Sequence, residues 1–129
     1  MSEVFISYSR ADSQFVDGLI LDLEQNGVPV WVDRQDIEGG DAWRAAISEA
    51  IRRCRAFVIV LSPNSTSSKN VSRELSLAES HDRMIVPIIH QACDIPPGME
   101  YQLAELQMTY GARGEINGFA MSSREMPFQ

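Results

Sequence analysis

One carboxylate in this chain lies where it could take part in chemistry. The segment from Asn70 to Ser80 has the spacing of a helix, and a rotation of about 100° per residue gathers its apolar side chains into one arc. Glu74 falls inside this arc. A carboxylate that points inward loses hydration and needs a specific partner. Alternatively, Glu74 belongs to the first turn of the helix and satisfies free amides or the helix dipole. The helical wheel leaves both interpretations open.

The ends of the predicted strands exclude several familiar chemistries. Open parallel sheets bind ligands beyond the carboxyl ends of their strands, which directs attention to residues 7–12, 33–43 and 62–74. These segments contain no Walker phosphate loop, no G-x-G-x-x-G dinucleotide loop and no G-x-S-x-G serine elbow. A phospho-receiver domain needs an acidic pair after the first strand and an aspartate after the third. This chain has Ser7 and Ser62 at those places, so that function is excluded as well.

The charge of the chain argues against nucleic acid as a partner. The 129 residues include 11 basic and 18 acidic side chains, which gives a formal net charge of -7. A nucleic-acid-binding domain needs a basic face that neutralises phosphates. The basic cluster of Arg52, Arg53 and Arg55 lies at the expected end of a helix, where cations interact favourably with the helix dipole.

No segment indicates export or insertion into a membrane. The first residues lack the pattern of a signal peptide, and no apolar run approaches the roughly 20 residues that span a bilayer. Cys54 and Cys93 have no paired spacing, so we expect free thiols in a reducing compartment. Neither cysteine forms a metal-ligand pattern with His81 or His90, and we expect no metal site. The chain is predicted to be cytoplasmic, with no membrane partner.

Apolar runs of strand length alternate with helical patterns along the chain. This alternation predicts an α/β, flavodoxin-like three-layer fold, in which a central parallel sheet of about five strands is flanked by helices. Residues 56–61 form an unbroken apolar run, which is typical of a parallel strand covered on both faces. The other strands are predicted at 4–6, 28–32, 84–89 and 106–110.

Helical periodicity and capping residues predict the remaining elements. An apolar repeat from Phe15 to Leu23 ends at Asn26-Gly27, and a second stripe begins at Trp43 after Asp41 as the N-cap. Residues 62–69 are predicted to be a loop, and a short helical turn is expected before residue 105. The domain core then covers residues 1–110, and residues 111–129 form a short helix or a partly disordered segment.

Four segments of the sequence together carry the motifs of a known domain family. The first is VFISYSRAD at residues 4–12, and the second is VWVD at 30–33 with DIEGGD at 36–41. The others are FVIVLSPNS at 57–65, and SREL at 72–75 followed by IVPI at 85–88. In order and in spacing these segments resemble the motifs of the Toll/interleukin-1 receptor (TIR) domain family, the second of them its second strand and the BB loop after it. The resemblance covers about residues 4 to 110.

The resemblance implies a catalytic residue and a substrate. In enzymatic TIR domains the glutamate of this helix is catalytic, which carries that role to Glu74. NAD would be the substrate and would lie between the first loop, the BB loop and this helix, with no cofactor or metal required. The implied substrate-binding residues are Tyr8, Ser9, Arg10, Asp33, Ile37, Gly39, Gly40, Trp43 and Asn70.

Several of these residues have an ordinary structural explanation. Arg10 is a fixed cation for a pyrophosphate or a solvated loop residue. Gly39 and Gly40 allow a close approach of the backbone to a ligand or simply form a turn. Trp43 is a wall of the pocket or part of the core. Asn70 stands four positions before Glu74, where some enzymatic members have an aromatic residue.

The predicted activity is that of an NAD glycohydrolase, and possible cyclase, that acts on self-assembly in immune or defence signalling. It would cleave the nicotinamide–ribose bond and give nicotinamide with ADP-ribose or a cyclic ADP-ribose isomer. The main alternative is a non-catalytic adaptor that works by TIR–TIR assembly through the BB loop. A third interpretation is a nucleoside-type transferase of related architecture.

Overall fold

The computed structural model describes residues 3–32, 41–104 and 109–110, with the side chains of residues 41, 109 and 110 left aside. Strands and helices alternate along these ranges, as the periodicity predicts. The strands are β1 (Val4–Ser7), β2 (Val30–Val32), β3 (Ala56–Leu61), β4 (Ile85–Ile89) and β5 (Thr109–Tyr110). The α-helices are α1 (Ser13–Gln25), α2 (Asp41–Arg53), α3 (Pro63–Thr66), α4 (Lys69–Ser80) and α5 (Pro97–Leu103), and a 3-10 turn at Arg10–Asp12 precedes α1.

The five strands form one parallel sheet in the order β2-β1-β3-β4-β5. This arrangement confirms the predicted flavodoxin-like α/β fold. The chain first moves from β1 to β2 at one edge and then returns to the other side of β1 to form β3. The strand order therefore reverses between β1 and β3, which is the place where open α/β sheets bind ligands beyond their carboxyl ends.

The two faces of the sheet bury two separate apolar clusters. Side chains alternate along a strand, so Val4 and Ile6 of β1 pack with α1, whereas Phe5 packs on the opposite face. That opposite face is covered by α2, α4 and α5. All six residues of β3 are buried, as its unbroken apolar run predicts. Full burial of each large side chain in these clusters contributes roughly 1.5–3 kcal/mol.

The end of α1 explains why β2 starts later than the apolar pattern predicts. Gly27 adopts a φ of 79°, a conformation that favours glycine, and it closes the helix as Asn26-Gly27 predicts. The amide of Val28 then donates to the carbonyl of Leu23 in the last turn of α1. Val28 therefore completes the helix end, and β2 begins only at Val30.

The prediction of a loop at residues 62–69 is wrong, because the segment contains α3 and the start of α4. The hydroxyl of Ser62 accepts from the amides of Asn64 and Ser65, and the Ser65 hydroxyl accepts from the amide of Ser62. This reciprocal pair is a capping box, and Pro63 occupies the first helical position, where its missing N–H costs nothing.

Three predicted segments fall wholly or partly outside the described residues. These are residues 33–40 of a polar loop that the sequence predicts at 33–42, residues 106–108 of the predicted fifth strand, and the segment 111–129. The short helical turn expected before residue 105 is present as α5. Within the part of the chain that the structure describes, no helix is both long and apolar enough to cross a membrane.

Candidate active site

Helix α4 positions Glu74 on the side of the helix that faces the sheet. The Ser68 hydroxyl caps the helix by accepting from the amide of Val71, and α4 then buries Val71, Leu75 and Ala78 against the sheet. Glu74 lies on the same side and is only 6% exposed. It is the sixth residue of α4 and is therefore past the first turn, whose amides lack partners within the helix. The interpretation of Glu74 as a cap of the first turn does not hold.

Ser7, the last residue of β1, is a hydrogen-bond partner of Glu74. Because side chains alternate along the strand, Ser7 points to the same face as Phe5, toward α4. Ser7 is fully buried, and its hydroxyl donates to Oε1 of Glu74 at 2.6 Å. A hydroxyl bonded to a carboxylate at this distance forms a strong, charge-assisted hydrogen bond. The sequence contained one sign of this contact: Ser7 follows Phe5 by two positions on the same strand, so the two side chains face the same side of the sheet.

An aromatic row lies on the same face of the sheet. The rings of Phe57, Phe5, Trp31 and Trp43 stack in that order, with centroid separations of 5.5, 5.1 and 6.1 Å. Phe5 and Phe57 belong to the core, whereas Trp31 and Trp43 are half-buried. Among the described residues, Trp43 Nε1 is the one buried side-chain nitrogen or oxygen without a hydrogen-bond partner. Trp43 thus extends the core and also carries a donor that the described residues leave unused.

The side chains of residues 8–10, which follow β1, lie in different surroundings. Tyr8 is half-buried against the cluster that α1 covers, which is the face opposite Glu74. The Ser9 hydroxyl accepts from the amide of Ala11 and caps the 3-10 turn. Arg10 is exposed. The residue of this region that contacts Glu74 through the hydrogen bond described above is Ser7, which the sequence did not single out.

Five predicted substrate-binding residues remain, of which the structure describes one, Asn70. Asn70 is exposed on α4, one helical turn before Glu74, so the two residues share a side of the helix. The four remaining residues belong to the loop at 33–40 and lie outside the described residues; they are Asp33, Ile37, Gly39 and Gly40.

A second buried carboxylate, which the sequence analysis missed, lies at the same edge of the sheet. Asp12 is 4% exposed and accepts from the Ser62 hydroxyl at 2.5 Å and from the Asn64 side-chain amide at 3.4 Å. The Nε2 atom of His90 lies 4.0 Å from Asp12 Oδ1, and the imidazole stacks on the ring of Phe15. We call Asp12, Ser62, Asn64 and His90 the Asp12 cluster.

The comparison with protein families decides what kind of domain this is. The profile described as "TIR domain" matches residues 4–120, which is most of the chain. The chain belongs to the TIR family. The TIR motifs identified in the sequence accordingly fall on β1, β2, β3, α4 and β4, and two of them supply the contacting pair, Ser7 and Glu74.

Two curated relatives of this TIR domain are bacterial proteins named for reactions of NAD or its product. The NAD(+) hydrolase TcpC of Escherichia coli O6:H1 is 31% identical over 94 residues, which are 68% of this chain and 31% of the relative. The 2' cyclic ADP-D-ribose synthase AbTIR of Acinetobacter baumannii is 31% identical over 94 residues, which are 69% of this chain and 35% of the relative. The match thus spans only 31–35% of the length of these relatives.

A solved structure shows how widely the fold is shared. The TIR domain of the Toll-related receptor TRR-2 from Hydra magnipapillata superposes with a TM-score of 0.76 and 21% identity, and the match covers 97% of this chain and 96% of that one. At this identity the likeness shows the fold alone. The fold is common to a receptor domain and to enzymes, so the function must be argued from the site.

Among the described residues, open grooves lie beside α4 and beside α3, and Glu74 lines neither of them. One, of about 490 Å³, lies between the start of α4 and α5 and is lined by residues that include Lys69, Ser72, Ser76 and Gln102. Ser72 and Ser76 are each two positions from Glu74, which places them on another side of the helix. The second groove, of about 570 Å³, lies between α3 and residues 92–94. Neither groove is part of the candidate active site.

Proposed function

We propose that this TIR domain cleaves NAD at the nicotinamide–ribose bond, with Glu74 as the catalytic residue. The observation that carries the proposal is the position of Glu74, a buried carboxylate on α4 bonded to the residue that ends β1, next to the switch in strand order. Ligands bind at this place in open α/β sheets. The two bacterial relatives, named as an NAD hydrolase and a cyclic ADP-ribose synthase, add support at the level of the family.

A single carboxylate is sufficient for this reaction. The nicotinamide ring of NAD is cationic, and when the glycosidic bond breaks its electron pair moves to the ring nitrogen, so that nicotinamide leaves as a neutral molecule. No general acid is needed, unlike the hydrolysis of an ordinary glycoside. Glu74 stabilises the developing oxocarbenium ion, either through the ribose hydroxyls or by a transient bond to the anomeric carbon. Attack by water, which releases a proton, gives ADP-ribose, and attack by an internal hydroxyl gives a cyclic isomer.

The proposed contacts with the dinucleotide come from α2, α4 and the loops after β1 and β2. Trp43 offers an aromatic surface and an indole N–H that has no partner among the described residues. Asn70, one turn before Glu74, offers an exposed amide, and Arg10 offers an exposed cation for the pyrophosphate. The loop contacts proposed from the family resemblance are Asp33, Ile37, Gly39 and Gly40.

The decisive experiment follows nicotinamide release by the purified domain over a range of protein concentrations, with mass spectrometry of the products. We expect release that rises more steeply than in proportion to protein concentration, because we propose that the domain is active when it assembles with other TIR domains. In the Glu74→Gln variant we expect release to fall by roughly a thousandfold, since the charge that stabilises the oxocarbenium ion is lost.

The matched control is Glu79→Gln on the same helix. Glu79 is exposed, and its carboxylate accepts from the side chain of Gln102, an interaction that glutamine can replace. This variant is expected to keep full activity. Unchanged turnover in Glu74→Gln would remove Glu74 from the mechanism. Absence of nicotinamide release from the unmodified domain at every concentration would favour a non-catalytic TIR adaptor, and exchange of nicotinamide for an added pyridine would indicate a transferase.

A further inference from the structure

We propose that Ser7 is a positioning residue for this reaction, whose hydroxyl holds the carboxylate of Glu74 in the orientation that cleavage requires. The inference rests on the proposed function, because it assigns a second residue to the same site. Ser7 does not need to touch the substrate. It acts through Glu74.

The first argument is the geometry of the contact. Ser7 is fully buried, and its Oγ donates to Glu74 Oε1 at 2.6 Å. A glutamate side chain has three rotatable bonds, and its terminal torsion is broad, so packing alone fixes the carboxylate plane poorly. A short hydrogen bond to one named oxygen limits the rotation of that plane.

The second argument is the rigidity of the two elements that the bond joins. β1 pairs with β2 on one side and β3 on the other, and Ser7 itself is in register with Ile59 of β3. α4 is anchored to the same face by the buried side chains of Val71 and Leu75. The bond therefore transmits the position of the sheet to the carboxylate, which is the kind of support that preorganised sites need.

The test is a comparison of kcat and KM for NAD between the unmodified domain and the Ser7→Ala variant. We expect kcat to fall by about ten- to a hundredfold while KM stays within about twofold, because only the alignment of the reacting group is lost. Assays are made at a temperature well below the Tm of both proteins, so that partial unfolding does not contribute.

Two further variants separate positioning from a merely structural role. Ser65 is equally buried, and within the described part of the chain its hydroxyl bonds with Ser62 at the start of α3, so Ser65→Ala should lower the Tm without lowering kcat. Ser7→Cys keeps a weak donor of similar size and should give a kcat between those of serine and alanine. Because cysteine fills the space of the serine side chain at the end of β1, Ser7→Cys also tests the proposal if Ser7→Ala folds poorly.

The outcomes distinguish the inference from the function on which it rests. If Glu74→Gln is inactive but Ser7→Ala keeps the kcat of the unmodified domain, the positioning role is wrong and the proposed function stands. The same conclusion follows if Ser7→Ala and Ser65→Ala lose kcat equally, or if Ser7→Ala raises KM alone. If Glu74→Gln retains activity, the proposed function fails and the role of Ser7 fails with it.

Discussion

Glu74 and Asp12 are two buried carboxylates at the same edge of one sheet, and each accepts a hydrogen bond from a serine at the end of a strand. The two serine–carboxylate hydrogen bonds join different parts of the fold. Asp12 is joined to Ser62, whose hydroxyl also caps α3, and both oxygens of Asp12 receive donors from that turn. Glu74 is joined to the end of β1 from a helix on the other face of the sheet.

The difference teaches that burial and a serine donor do not by themselves identify a catalytic carboxylate. The Asp12 cluster fastens the turn before α1 to the turn after β3, because the Ser62 hydroxyl that donates to Asp12 also caps α3. This explains why the Asp12 side chain makes no cap hydrogen bond to α1, although Asp12 occupies the N-cap position. We interpret the Asp12 cluster as structural, and the catalytic role that we propose belongs to Glu74.

The largest expected difference between Glu74 and Asp12 is in the turnover of NAD. Replacement of each carboxylate by its amide should separate the two sites, because Glu74→Gln loses the charge that faces the substrate whereas Asp12→Asn changes only a structural contact. We expect a fall of roughly a thousandfold in the first variant and a change of no more than a few-fold in the second. Initial rates of nicotinamide release measure both. Equal losses in the two variants would break the comparison.

The second expected difference is in stability, where the change at Asp12 should have the larger effect. Asp12→Ala leaves the buried Ser62 hydroxyl without its acceptor, and a buried group left unsatisfied costs about 1–3 kcal/mol. The Asn64 amide also loses its acceptor, but Asn64 is exposed and can bond to water instead. We expect the free energy of unfolding to fall by about 2 kcal/mol in this variant. Glu74→Gln keeps an acceptor for Ser7 and should cost less. Urea denaturation of both proteins checks the order, and a larger loss in Glu74→Gln would contradict it.

The same contrast shows which parts of the molecule could be predicted from the sequence. The alternation of strands and helices, the limits of β3 and the place of Glu74 within the apolar arc of its helix follow from local periodicity, because each depends on residues within one element. The short helix α3 was also within reach, since Ser62, Pro63 and Ser65 carry the signature of a capping box.

The contacts of the two carboxylates could not be predicted in this way. Ser7 and Glu74 are 67 residues apart in the sequence, and Asp12 and Ser62 are 50 apart. Both pairs meet only because parallel register brings the ends of β1 and β3 to one edge, while Ser7 and Ser62 face opposite sides of the sheet. A shift of one residue in either strand would exchange these faces.

The smallest expected effect concerns Cys54, whose buried thiol is a third acidic group. It shows what burial does to an acid that has no serine donor among the described hydrogen bonds. Burial raises the pKa of the Cys54 thiol to about 11, although Arg83 acts in the opposite direction. The folded protein therefore holds this proton at pH values where the unfolded chain has lost it. The free energy that this thiol contributes is fully present below the unfolded pKa and is lost, at about 1 kcal/mol per pH unit, as the pH rises from about 9 toward 11. The difference in unfolding free energy between the unmodified domain and Cys54→Ala, measured from pH 8 to pH 10, should narrow or reverse accordingly. A difference that stays constant over this range would show that burial alone does not suppress ionisation at this depth, and it would weaken the argument that a buried carboxylate needs a donor such as Ser7.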